Sequence, residues 1–162
     1  MSRHSWFLNS PVPPWQRHFS DGFNMKAKKR VLFLCTGNSA RSQMAEGILR
    51  QLAGDEYDVF SAGTAPKGLH PRTVEVMKEA GIDVSTHTSK DLAQFQGQSF
   101  DYVITVCDRA RQQCPVVPGS TPFHWGFDDP AEADLPRQLE TFRRVRDEIR
   151  HRIRLFLLAN KD

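Results

Sequence analysis

Apolar residues along the chain fall into short unbroken runs that alternate with longer amphipathic stretches. Val31-Leu32-Phe33-Leu34 and Tyr102-Val103-Ile104-Thr105-Val106 show no polar alternation, as strands buried on both faces of a sheet do not. They predict strands over Arg30 to Leu34 and Tyr102 to Val106. Val59 to Gly63 and Thr121 to Trp125 predict two more. Between them the apolar period lengthens to three and four. Met44, Ile48, Leu49 and Leu52 predict the inner stripe of a helix from Ala40 to Ala53, stopped by Gly54. Pro71 to Ala80 predicts a second helix ended by Gly81, and Ser89 to Phe95 a short one capped by Ser89. Leu139, Phe142, Val145, Ile149, Ile153 and Phe156 mark the buried face of a long helix from Leu135 to Leu158. Strands alternating with helices imply an α/β fold, a three-layer sandwich with a central four-stranded parallel sheet and helices on both faces. Ligands of such sheets bind beyond the carboxyl ends of the strands. Cys35, Ser61, Cys107 and the loop after Trp125 all fall there.

Residues 1–28 read as a flexible N-terminal tail ahead of a single domain over 29–162. The first 24 residues hold Pro11, Pro13, Pro14, Trp6 and Trp15 without a helical or strand period, and lack the apolar core of a signal peptide. The 162 residues suffice for one domain with a real core. No apolar run is long enough to span a bilayer, so no membrane association is expected. The net charge of +3 comes mostly from arginines between Arg143 and Arg154; they read as a solvated helix face and not as a nucleic-acid surface. Three cysteines make an odd count that suits free thiols in a reducing cytoplasm better than a disulfide framework. Nothing in the pattern marks an oligomer interface, and a monomer is expected.

The chemistry concentrates in Cys35-Thr36-Gly37-Asn38-Ser39-Ala40-Arg41-Ser42, where a strand passes through a tight loop into a helix. Such a loop aims successive N–H groups at one spot, and the helix start adds partial positive charge. Asn38 suits a left-handed backbone position. Arg41 supplies a planar fork for a tetrahedral oxyanion. Thr36, Gly37, Asn38, Ser39, Ala40 and Arg41 are thus the candidate oxyanion-binding residues. Cys35 is the nucleophile at the centre of that field, which is expected to lower its pKa, and Ser42 can donate its hydroxyl to the thiolate. Cys107 and Cys114, seven positions apart, suit thiol–disulfide exchange or are two ordinary cysteines near a strand. Their gap is too wide for close-paired zinc ligands. Asp128 and Asp129 before Pro130 read as turn residues. His70, His87 and His124 read as packing or capping residues.

Cys35 to Gly47, Cys-Thr-Gly-Asn-Ser-Ala-Arg-Ser-Gln-Met-Ala-Glu-Gly, resembles the thioredoxin-coupled arsenate reductases. That family shares its fold and phosphate loop with the low-molecular-weight protein tyrosine phosphatases. The resemblance runs from about Lys29 to Leu158. It implies that Cys35 attacks arsenate to give a thiol–arsenate adduct and that Cys107 then attacks Cys35, releasing arsenite. Cys114 would next attack Cys107, moving the disulfide to where thioredoxin reduces it. It implies Asp129 as the general acid, leaving Asp128 as a helix cap or solvent residue. It implies arsenate as substrate, phosphate or sulfate as competitors, no bound cofactor, and a role in arsenic detoxification. Some relatives hold potassium under the loop; the matching positions are Asn38, Glu46, Ser61 and Lys90, where the lysine replaces the ion. Ala40 stands where many relatives carry a cysteine. The alternative implied function is a low-molecular-weight tyrosine phosphatase using Cys35, Arg41 and Asp129 alone.

Overall fold

The computed structural model describes residues 26–161. The expectation of a flexible tail therefore falls mostly outside the described residues. Four parallel strands form one sheet: β1 Lys29–Cys35, β2 Tyr57–Gly63, β3 Tyr102–Thr105 and β4 Thr121–His124. Their order is β2-β1-β3-β4, which puts β1 inside the sheet. Val31 to Cys35 are all buried, as an apolar run with neighbours on both edges requires.

The alternation of β1 side chains divides the core. Val31, Phe33 and Cys35 face a large cluster built with α1 Arg41–Ala53, α2 Pro71–Glu79 and α4 Leu135–Ala159. Leu32 and Leu34 face a smaller cluster on the other side with Ala62, Phe100 and Val103. That second layer is thin. A 3-10 turn at Leu92–Phe95 and the chain around Cys114 and Val117 cover it. Between these lies α3, Asp108–Gln113, only six residues long.

Some local expectations shift. Leu52 is 41% exposed, and Ala45 and Ala53 complete the inner face of α1 instead. Ser89 does not cap the Leu92–Phe95 turn. Its hydroxyl donates to the Asn38 carbonyl, and Asp91 accepts from Ala93 N–H as the cap. The arginines of α4 are only partly a solvated face. Arg143 bonds Glu79 through Nε and Nη2, and Arg146 reaches the Val76 carbonyl at 2.8 Å, pinning α4 to α2.

β2 ends against the loop that follows β1. A Cβ on Gly63 would lie 2.5 Å from the Thr36 carbonyl oxygen and 2.9 Å from Asn38 N. Only glycine permits that approach. Gly63→Ala is expected to destabilise the fold by about 1–3 kcal/mol through overpacking and to weaken oxyanion binding. Urea denaturation and oxyanion titration measure the two effects.

Candidate active site

The loop from Cys35 to Ala40 is shaped by what takes its carbonyls. Thr64 N–H donates to Cys35 O, Ala65 N–H to Thr36 O, Lys67 N–H to Gly37 O and His70 N–H to Ser39 O. The Thr73 hydroxyl also donates to Ser39 O. With its carbonyls drawn outward, the loop presents its N–H side to the concave face. Asn38 makes this turn possible at φ +44°, the one left-handed non-glycine among the described residues. Ala40 caps α1 without a side-chain bond. A first-turn N–H that a Ser or Asp cap would have taken remains for an anion.

Cys35 lies at the floor of this cradle, 3% exposed. Its sulfur accepts from Asn38 N–H at 3.0 Å and pairs with the Ser42 hydroxyl at 2.8 Å. The expectation of a lowered thiol pKa is not met. Burial pushes the Cys35 thiol up; the Ser42 and Asn38 hydrogen bonds pull it back without cancelling that, and nearby Cys107 pushes it further. A sulfur sunk this deep loses more hydration than the donors of Ser42 and Asn38 return.

Asn38 and Ser42 are wholly buried and act from beneath. Asn38 Nδ2 donates to Ser42 Oγ and Ser61 Oγ, both at 2.9 Å, while Oδ1 accepts from Lys90 N–H and Gln43 Nε2. The Asn38 side chain therefore supports the loop and leaves oxyanion contact to backbone. Ser61 in turn donates to Glu46 Oε2. Glu46, 5% exposed, meets Arg50 Nη2 at 2.6 Å and Lys90 Nζ at 3.5 Å. The four positions matched to a potassium site are thus together, with the ammonium among them.

Arg41 spans the pocket. Nη1 donates to the Phe127 carbonyl and Nη2 to Asp129 Oδ2, each at 3.0 Å. Asp129 Oδ1 also caps the 3-10 turn at Pro130–Glu132 by accepting from Ala131 N–H. Asp128 does not cap; it pairs with Arg144 at 2.9 Å. The pocket encloses about 550 Å³ and includes Cys35, Arg41, Cys107 and Asp129. Cys107 is buried, and its sulfur lies 3.5 Å from Thr36 Oγ1. Cys114 is not in this pocket. It sits half-buried at the far end of α3, where burial pushes its thiol up.

Sequence reasoning missed Lys67, His70 and Arg109, which also line the pocket. His70 caps α2 with Nδ1 accepting from Arg72 N–H and stacks on Phe142, as a capping residue should. Burial and then Arg72 hold its pKa below the usual histidine value. His87 and His124 bond to Gln43 and Thr105. Among the described residues no group of three or more His, Cys, Asp or Glu is placed to hold a metal ion. No described helix is long and apolar enough to cross a membrane.

Residues 30–161 match the model of the low molecular weight phosphotyrosine protein phosphatase family. The chain belongs to this family. Within it, similar proteins include several arsenate reductases and, among solved structures, a low molecular weight protein tyrosine phosphatase from T. tengcongensis with a TM-score of 0.68 at 27% identity, covering 82% of this chain and 99% of that one. The arsenate reductase of Halalkalibacterium halodurans is 49% identical over 137 residues, 83% of this chain and 99% of the relative. The fold matches the solved structure of an arsenate reductase in its oxidized state with a TM-score of 0.71 at 32% identity, covering 81% of this chain and 98% of that one. It also matches a thioredoxin-dependent arsenate reductase from Corynebacterium glutamicum, with a TM-score of 0.67 at 31% identity, over 83% of this chain and 62% of that one.

Cys35 is held from below by the Ser42 hydroxyl. Ser42→Ala is expected to slow alkylation of Cys35 at neutral pH by about tenfold, the loss of one hydrogen bond to a charged group. Iodoacetamide rates against pH read this out; wild-type Cys35 should react with a midpoint above that of a free thiol, and the variant higher still.

Proposed function

We propose that this protein reduces arsenate to arsenite with three thiols and returns its disulfide to thioredoxin. One observation carries the reading: Cys35 and Cys107 line one pocket, while Cys114 caps the other end of the helix that Cys107 starts. A phosphatase needs only the first of these sulfurs.

The electrons balance as follows. Arsenate enters the loop N–H groups and competes with Asp129 for the Arg41 fork. The Cys35 thiol gives up its proton as its sulfur bonds to arsenic, the bond from arsenic to one hydroxyl breaks with its pair on oxygen, and Asp129, released from the arginine, relays that proton to the departing oxygen, which leaves as water. Cys107 attacks the Cys35 sulfur, and the sulfur–arsenic bond breaks with its electron pair on arsenic, giving arsenite and a Cys35–Cys107 disulfide. Cys114 attacks Cys107 and frees Cys35 as thiolate, an exchange with no net redox change. Thioredoxin reduces the Cys107–Cys114 bridge, so no bound cofactor is needed.

The last exchange requires movement. Seven positions along a helix span roughly 10 Å, whereas bridged cysteines need Cα atoms about 6 Å apart. So α3 unwinds. Six residues form a marginal helix, which supports the step. Unwinding also releases Cys114 from the burial that raises its pKa. An apolar groove of about 680 Å³, lined by Leu92, Phe95, Phe100, Pro115, Val116 and Val117, flanks this segment. Val116 is 92% exposed. These features support docking of thioredoxin beside the emerging bridge.

With arsenate, thioredoxin, its reductase and NADPH, Cys35→Ser, Cys107→Ser and Cys114→Ser should each abolish steady-state arsenite production. Hydrolysis of an aromatic phosphate should survive the last two. Arsenite turnover persisting in Cys107→Ser and Cys114→Ser would leave only the phosphatase reading.

Lys90 takes the role of a potassium ion. Two cationic side chains already answer Glu46, a setting that disfavours a third cation. Turnover should be the same in sodium and potassium buffers, and Lys90→Ala should make it respond to potassium. A clear rise in wild-type activity with potassium would contradict this role.

A further inference from the structure

The two sulfur steps ask opposite things of α3. Attack of Cys107 on Cys35 needs the start of the helix held against the cradle. Attack of Cys114 on Cys107 needs the helix open. Cys107 is the N-cap, and its sulfur accepts from Ala110 N–H at 3.3 Å. That bond lasts only while the first turn is formed, and a six-residue helix does not keep its own first turn.

One side chain reaches that turn from the sheet. His124 ends β4, and its Nε2 lies 2.9 Å from Asp108 Oδ1, on the residue next to Cys107. Its Nδ1 lies 2.8 Å from Thr105 Oγ1 on β3. The Thr105 hydroxyl also faces the Phe123 carbonyl at 3.4 Å. It can give its proton to a neutral ring, or to that carbonyl while accepting from a charged ring. In both cases Nε2–H remains to donate to Asp108. The contact is anchored on one side and free on the other, since the His124 side chain is 21% exposed and that of Asp108 85%. Behind the rest of α3 a cavity of about 430 Å³, bordered by Thr105, Arg111, Cys114, Phe123 and His124, leaves the far end loosely packed.

We propose that His124 is a positioning residue for the cysteine relay, latching the start of α3 through Asp108 so that Cys107 stays at the cradle until its first attack is complete. The inference rests on the three-thiol reading. His124 forms and breaks no bond to sulfur or arsenic. It sets how long Cys107 is held as a helix cap, and the exposed half of the latch lets the helix open for Cys114.

The test is a single turnover of reduced full-length protein with arsenate and no thioredoxin. Samples are quenched with acid and alkylated, and the Cys35–Cys107 and Cys107–Cys114 bridges are followed by peptide mass spectrometry. Asp108→Ala and His124→Ala should each slow the first bridge and speed the second, by about two- to fivefold, the range of an exposed ion pair. The double variant should match either single one, because both remove the same contact. His124→Gln, whose amide can donate to Asp108, should restore part of the wild-type pattern. Should His124→Ala fold poorly, Asp108→Ala carries the test, its side chain being on the surface. Wild-type rates for both bridges in the variants, or a parallel loss in both, would overturn the latch alone. A wild type that forms neither bridge would overturn the relay and the latch with it.

Discussion

Asn38 is held in a left-handed turn because hydrogen bonds to six residues converge on it. Its N–H meets the Cys35 sulfur, its side chain joins Ser42, Ser61 and Gln43, and Lys90 N–H and the Ser89 hydroxyl close the ring. A left-handed asparagine costs little where its amide is so fully used. If that turn relaxed, the loop carbonyls would swing inward, and the cradle would repel the anion it now attracts. The sulfur, the first turn of α1 and the approach of β2 at Gly63 all presuppose it.

From this constraint follows a division of labour between buried and exposed sulfur. Cys35 lies at the end of a strand with neighbours on both edges and cannot reach a protein partner. Its burial raises its pKa; on the proposed reading that burial also protects the nucleophile, and the cradle and the incoming substrate carry part of its activation. Cys107 sits where cradle and α3 meet, and Cys114 sits where α3 meets an apolar groove. The chain thus links a sealed site to an accessible surface through a helix too short to be rigid. On this reading softness in α3 is functional, and the contacts that restrain its start matter as much as the cysteines it separates.

Much of this was legible in the sequence, for identifiable reasons. Unbroken apolar runs located β1 and β3, because burial on both faces leaves little room for polar side chains, whereas β2 and the half-exposed β4 were marked only by shorter mixed stretches. The 35–42 loop was legible because each residue type there answers one demand: a small turn, a left-handed turn, a fork, a hydroxyl. Leu52 and Ser89 were not, since helix period cannot tell which apolar residue a neighbouring helix covers, nor whether a serine spends its hydroxyl on a cap or a distant carbonyl. Lys67 and Arg109 belong to the pocket only because separate loops converge at the strand ends. The Cys35 pKa misled because the sequence displays the donors around a thiol but not how deeply the thiol is sunk. His124 was read as packing, and its link to Asp108 became visible only once β4 and α3 were side by side.

The central claim is that oxidation passes in order through positions 35, 107 and 114. It is tested most directly by mapping disulfides in wild-type protein at successive times after mixing with one equivalent of arsenate. The account predicts a Cys35–Cys107 bridge that rises and decays as a Cys107–Cys114 bridge accumulates, with arsenite matching their sum. Arsenite release with all three thiols still free, or a Cys107–Cys114 bridge formed before any bridge to Cys35, would contradict it.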